Sequence, residues 1–190
     1  MKPVLSTALA LFASFTTFDM EVSAQHRLLQ PQADSYMKLG DIKGESVAQS
    51  YEDAIDVLAW SWGATNSGSV GKGGGGGAGK ADFQALNITK YVDKASPNLI
   101  QKLALGKHYP TASLHICKAG DGKQEYLTIE FEEVLVESVS VGGNEGDEFL
   151  VENISLIFGK IKYTYKPQKP DGSLGGAVEA QWNIATNSES

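Results

Sequence analysis

The sequence predicts an all-β fold: a small β-barrel, closed or nearly closed, made of two curled antiparallel sheets with one short flanking α-helix. Three observations predict it. Residues 127–132 (LTIEFE) alternate strictly, apolar at odd positions and polar at even ones, as a strand with one buried face does. Two apolar-patterned stretches change phase midway, at Glu132-Glu133 and around Gly159, and such bends let a sheet curl shut. Only one stretch carries helix boundary signals, and a helix of roughly nine residues is marginal without a surface to dock on.

Composition bounds the function. Lysine and arginine number 16 against 23 aspartates and glutamates, a net charge of −7 over 190 residues. That balance fits one globular domain and excludes a disordered chain, which would carry fewer apolar residues. With no basic block it also excludes a nucleic-acid binder, which must neutralise phosphates. Cys117 is the single cysteine, so no intramolecular disulfide forms and a thiolate zinc site is excluded. His26, His108 and His115 have no metal-binding spacing, and no metal or other cofactor is expected.

Taken in order, residues 1–24 have the layout of a secretory signal peptide. Lys2 precedes an uncharged apolar run at 4–18, and Val22-Ser23-Ala24 forms a small-residue cleavage pattern. The run is shorter than the ~20 apolar residues a transmembrane helix needs. Lys2 is a lone basic residue, and Asp19 and Glu21 crowd the cleavage region, so Met20 as the true start is the alternative. Residues 25–34, with Pro31, read as a linker. The folded domain is expected at 35–186, with a tail at 187–190. No later stretch is apolar enough to insert in a membrane.

Residues 36–39 (YMKL) read as a strand ended by Gly40-Asp41, and 42–46 (IKGES) as an extended or turn segment. The densest apolar stretch is 55–62 (IDVLAWSW), read as one strand. Ile55, Val57, Ala59 and Ser61 fall on one face, Asp56, Leu58, Trp60 and Trp62 on the other. Residues 63–80 hold nine of the 21 glycines, five of them consecutive at Gly73, Gly74, Gly75, Gly76 and Gly77, and read as a flexible loop. Residues 83–91 resume as a strand, with Phe83, Ala85, Asn87, Thr89 and Tyr91 alternating with Gln84, Leu86, Ile88 and Lys90. Ser96 as N-cap, Pro97 in the first turn and Gly106 at the C-terminus delimit the helix. Leu99, Ile100, Leu103 and Ala104 form its apolar face. Strands follow at 112–117, after a turn at 119–122, through 127–132, and at 154–165 on either side of Gly159. A turn-rich loop at 167–176 leads to a last strand at 178–184.

Each chemical motif competes with a plainer reading. Gly74-x-x-x-x-Gly79-Lys80 begins a phosphate loop, but Ala81 stands where a serine or threonine must hold magnesium, and a strand follows instead of a helix. Trp60-Ser61-Trp62 has the makings of a sugar platform; packing is the plainer reading, and it turns Ser61 outward. Glu130, Glu132 and Glu133 fit the polar side of an amphipathic strand better than an acid–base pair. No serine sits in a GxSxG elbow, and Cys117 beside His115 reads as a wall position. The sequons at Asn87 and Asn153 lie in strands and are assigned no role.

Several segments together resemble one family: YMKL at 36–39, IKGES at 42–46, IDVLAWSWG at 55–63, the glycine loop ending at Lys80, TKYVDKASPNL at 89–99, GKHYP at 106–110, YKPQ at 165–168 and WNI at 182–184. In this order they resemble the haemolysin-coregulated protein (Hcp) family, the tube protein of the bacterial type VI secretion system. The resemblance spans residues 35–186. It implies a β-barrel with a flanking helix, a homo-hexameric ring, rings stacked into a hollow tube, and a lumen that carries effectors. It implies the spike protein, the sheath and effector proteins as partners, and no catalysis in the core domain. No toxin domain is expected after Ile184. Ser61 is the expected lumen or effector contact. Gly73, Gly74, Gly75, Gly76, Gly77 and Lys80 form the expected subunit or ring contact. Secretion through the type VI machinery is expected. The leader pattern leaves open a Sec-exported, ring-forming binding module of the envelope or extracellular space.

Overall fold

Strand β8, Glu125–Gly142, is the spine of the molecule. It is seen in a computed structural model that describes residues 33–66, 68, 80–119 and 123–189; the leader at 1–24 and the five consecutive glycines lie outside the described residues. β7 (His108–Lys118) pairs along one side of β8. On the other side β8 changes partner midway. Its first half pairs with β10 (Lys160–Tyr165) and its second half with β9 (Val151–Ile157). From there one nine-stranded antiparallel sheet builds in both directions. β1 (Ala33–Leu39) lies on β7, and β2 (Ile55–Val57) on β1. β6 (Leu86–Tyr91) lies on β9, and β3 (Ala59–Ser61) on β6. β11 (Val178–Asn183) pairs with β10. β4 (Ala64–Asn66) and β5 (Ala81–Phe83) form a separate two-stranded ribbon.

Both expected bends occur, and they face each other. Burial along β8 passes from Leu127, Ile129 and Phe131 to Val134 and Val136. The phase change is made at Glu133, which adopts φ 56°. The Gly159 N–H donates to the Glu132 carbonyl at 3.0 Å. A Cβ on Gly159 would lie 2.5 Å from Glu133 Oε2, so the glycine leaves room for the bent strand.

The ladder does not close the barrel; the chain does. β2 and β3 end the sheet on opposite sides, yet only Leu58 separates them. The Leu58 N–H donates to the Thr89 carbonyl at 2.8 Å, joining the seam to β6. This corrects the reading of 55–62 as one strand. Ile55 and Val57 are buried while Ala59 and Ser61 are exposed, because the segment changes partner at Leu58 and its pleat is reset. Residues 83–91 likewise divide, β5 pairing with β4 and β6 with β9.

Helix α1, Ser96–Leu105, ends as expected. Gly106 takes φ 58°, and its N–H and that of Lys107 return to Leu103 and Lys102 carbonyls. Its start and its face differ from expectation. Ala95 holds the N-cap position with no side-chain cap. Ser96 is instead drawn inward, its hydroxyl donating to Glu152 Oε1 at 2.7 Å. Leu99 enters the core, but Ile100 is 50% exposed and Ala104 is exposed. The helix therefore touches the barrel along a narrower stripe than its apolar residues define.

What holds α1 down is ionic. Lys90, 0% exposed, reaches Glu152 Oε1 at 2.6 Å, Asp93 Oδ1 at 2.7 Å and the Tyr91 carbonyl at 2.7 Å. Asp93 Oδ1 also accepts the Ala95 N–H at 2.9 Å. The network ties β6 and β9 to the first turn of the helix.

The β1–β2 connection folds back on itself. The Gly44 N–H donates to Asp53 O at 2.8 Å and the Ser46 N–H to Ala54 O at 3.0 Å. A Cβ on Gly44 would sit 2.3 Å from Ala54 O and 2.6 Å from Ile55 Cα, both backbone atoms that cannot step aside. Gly44→Ala is expected to lower stability by about 1–3 kcal/mol, the range for forced overpacking. A urea midpoint within error of the parent would refute that close approach.

Candidate functional site

The outside of the barrel divides into two chemically different surfaces. One spans β1, β7, the first half of β8, β10 and β11. Antiparallel register lines up Lys38, Ser113, Glu130, Lys162 and Gln181 in one row. A neighbouring row holds Thr111, Glu132, Lys160 and Asn183. Lys160 pairs with Glu132 at 2.6 Å and Lys162 with Glu179 at 3.2 Å. Of the carboxylates considered for acid–base chemistry, Glu132 is held in a cross-strand ion pair, Glu130 stands opposite Lys162 in the register, and Glu133 sits at the bend.

The second surface lies on the outside of β3, β6, β9 and the second half of β8. Ser61, Asn87 and Ser155 share one row; Ala59, Thr89, Asn153 and Ser140 share the next. Apart from Glu137 at the β8 register shift, these rows contain no charged side chain. The Thr89 hydroxyl donates to Asn153 Oδ1 at 2.7 Å, and the Ser155 hydroxyl donates to Glu137 Oε2, beside the β8 register shift, at 2.8 Å. Ser61 is exposed, as expected. No base is hydrogen-bonded to it among the described residues, so its hydroxyl lacks the partner that activates a nucleophile. A surface of hydroxyls and amides offers hydrogen bonds to a passing chain without the strong fields that would hold it fast.

The two sequons that the sequence gives no role, Asn87-Ile88-Thr89 and Asn153-Ile154-Ser155, supply the polar neighbours of Ser61 on this surface. A signal was present: Asn87 and Thr89 alternate in phase, opposite the buried Leu86 and Ile88. Only the register of β3 on β6 and of β6 on β9 brings them beside Ser61.

The remaining candidates separate. Trp60 and Trp62 are half-buried against the core, Trp62 stacked on Phe83 at 6.4 Å. Lys80 is exposed just before β5; the five consecutive glycines expected to act with it are outside the described residues. Cys117 and His115 do not pair. The Cys117 thiol donates to the Tyr51 hydroxyl at 3.3 Å, and Tyr51 donates to Glu125 Oε2 at 2.8 Å. His115 Nδ1 lies 2.7 Å from Glu125 Oε2 and Nε2 lies 2.9 Å from the Ser113 hydroxyl. Burial pushes the Cys117 thiol up and the Tyr51 phenol well above its usual range, so neither ionises near neutrality. Burial also works to raise Glu125, but hydrogen bonds from Thr128, His115 and Tyr51 outweigh it and hold the carboxyl at about 2. The cluster is a fixed support under residues 43–54.

The model of a family described as "Type VI secretion system effector, Hcp" matches residues 36–165. Over 156 residues the chain is 52% identical to the protein hcp1 of Pseudomonas aeruginosa, covering 81% of this chain and 96% of that one. Among solved structures, a type six secretion system protein superposes with a TM-score of 0.79 at 31% identity, covering 84% of this chain and 100% of that chain. Hcp1 from Salmonella typhimurium superposes with a TM-score of 0.68 at 32% identity, covering 83% and 99%.

Proposed function

Since the chain belongs to the Hcp family of the type VI secretion system, we propose that it forms homo-hexameric rings that stack into a tube, with the Ser61 surface lining the lumen. The observation that carries this reading is the contrast between the two outer surfaces. A lumen that releases what it carries calls for neutral, weakly adhesive walls. The rows around Ser61, Asn87, Thr89, Asn153 and Ser155 have that character, whereas the checkerboard of lysines and glutamates suits a surface turned elsewhere.

In this reading the partners are effector proteins inside the tube, the spike protein at its tip and the sheath around it. The barrel acts by shape and contact, not by catalysis, and the protein leaves the cell through the type VI machinery. Ser61→Gln places a longer amide on an exposed position of the neutral surface. We expect the ring mass and thermal midpoint to stay as in the parent while co-purified effector falls at least fivefold. Retention at the parental level would remove Ser61 from the lumen wall.

The leader pattern at residues 1–24 favours a second reading, a Sec-exported ring-forming binding module. Intact mass of the protein from its native cell decides between them: a chain starting at Gln25 supports export, and one starting at Met1 or Met20 supports the tube.

A further inference from the structure

The neutral surface around Ser61 changes character at one end. Tyr91 follows Asn87 and Thr89 on the same face of β6, Val151 stands opposite it on β9, and Gly142 stands opposite Val151 on β8. Tyr91 is 46% exposed. Phe149, 60% exposed, leans on it with 5.4 Å between ring centroids. Leu150 and Val92 are exposed beside the pair and tied together, the Val92 N–H donating to the Leu150 carbonyl at 2.9 Å. A group of large apolar side chains left in water, on backbone held by hydrogen bonds, marks a contact surface.

The charges beside it are of one sign. Residues 142–151 hold three acidic side chains and no basic one. Asp147 is turned back on its own loop, accepting the Asn144 N–H at 2.7 Å. Glu145 and Glu148 are exposed, and no cation among the described residues pairs with either. Lys94, just past this end of β6, is already engaged by Asp53 at 2.9 Å.

We propose that this end of the surface holds the effector, through a segment of the effector that carries apolar side chains next to lysine or arginine. The inference rests on the lumen reading above and names the chemistry of the partner. Hydroxyls and amides exchange one hydrogen bond for another, so they retain a passing chain weakly. Covering Phe149 and Tyr91 with an apolar side chain takes both out of water, an attraction that the rest of the surface does not offer. The unpaired Glu145 and Glu148 favour a basic flank and oppose an acidic one. In a hexamer the same anchor recurs around one cavity, and contacts that are weak singly reinforce one another for cargo that reaches several.

The probe is a capped peptide, Gly-Lys-Phe-Ser-Phe-Lys-Gly, with para-fluorinated phenylalanines, added to full-chain rings and read by fluorine NMR. Its line is expected to broaden at least threefold on parental rings. Peptides with glutamate for lysine, or with para-fluorophenylalanine kept once and serine in the other place, are expected to broaden less than half as much. Phe149→Ser removes a side chain whose one ring contact is Tyr91. It is expected to keep the parental ring mass and thermal midpoint, to return the line to its free width, and to lower co-purified effector at least fivefold. Glu145→Gln with Glu148→Gln is expected to lose at least half of the broadening at low salt. Equal broadening by the parent and Phe149→Ser, or none by the parent, would overturn the site and leave the lumen reading standing. Phe149→Ser chains that no longer form or stack rings would make the patch a contact between copies, and overturn it too. Ser61→Gln decides the lumen reading separately. If effector retention survives that substitution while the peptide still binds at Phe149, the patch lies outside the lumen and the proposal fails with that reading.

Discussion

Lys90→Met is expected to lower folding stability by about 3–5 kcal/mol, the usual cost of removing one partner from a buried ion pair. The loss comes from what remains. Glu152 is 1% exposed and keeps only the Ser96 hydroxyl at 2.7 Å once the ammonium is gone. Its charge is then uncompensated in a medium that solvates it poorly. Asp93 loses its 2.7 Å partner too, and with it the clamp on the first turn of α1. The double variant Lys90→Met with Glu152→Leu is expected to recover most of the loss, because an apolar pair of similar volume replaces the ionic one. Urea denaturation of the three proteins measures this. A single variant that loses under about 1 kcal/mol, or a double variant no better than the single, would show that the network does not act as a pair.

The second large effect is in acid. Glu125 is held at about 2 against an ordinary 4.5, so the folded state binds its proton more weakly than the unfolded state does. Its stabilisation is fully present above the ordinary value and is lost as pH falls from about 4.5 through about 2. A depression of that size corresponds to about 3 kcal/mol. Glu125→Gln is expected to start from a lower stability at pH 6 and to lose less between pH 5 and pH 2 than the parent. Thermal midpoints across that range check it; parallel pH profiles would place the acid sensitivity elsewhere.

Local signals carried much of the fold. The alternation at 127–132 became the first half of β8, and the phase breaks at Glu132-Glu133 and Gly159 became facing bends, because pleat and burial are properties of a single strand. What depended on a partner was hidden. Residues 55–62 are apolar on both sides and look continuous; nothing local marks Leu58 as the point where pairing passes from β1 to β6. Ser96 has the right chemistry for a cap, but a buried lysine and glutamate from distant strands compete for its hydroxyl. Those charges did leave a trace. Lys90 falls in phase with Leu86 and Ile88, and Glu152 with Ile154 and Leu156, so two opposite charges sit on core-facing positions. Ser61 was legible as an outward residue beside two tryptophans. Its neighbours were not, since their grouping depends on register between strands some sixty residues apart.

The seam at Leu58 bears on how the barrel assembles. Bringing two sheet edges together ordinarily joins segments far apart along the chain, at an entropic cost that rises with the length of the closed loop. Here the two edges are neighbours through one residue, so their meeting closes no loop at all. The demanding encounters are the earlier ones, of β1 with β7, where Leu39 must find Ala112, and of β6 with β9, where Leu86 must find Leu156. Once those distant pairings exist, the final gap shuts by a local change of direction. The rate of forming the barrel is then set by these long-range searches and not by its closure.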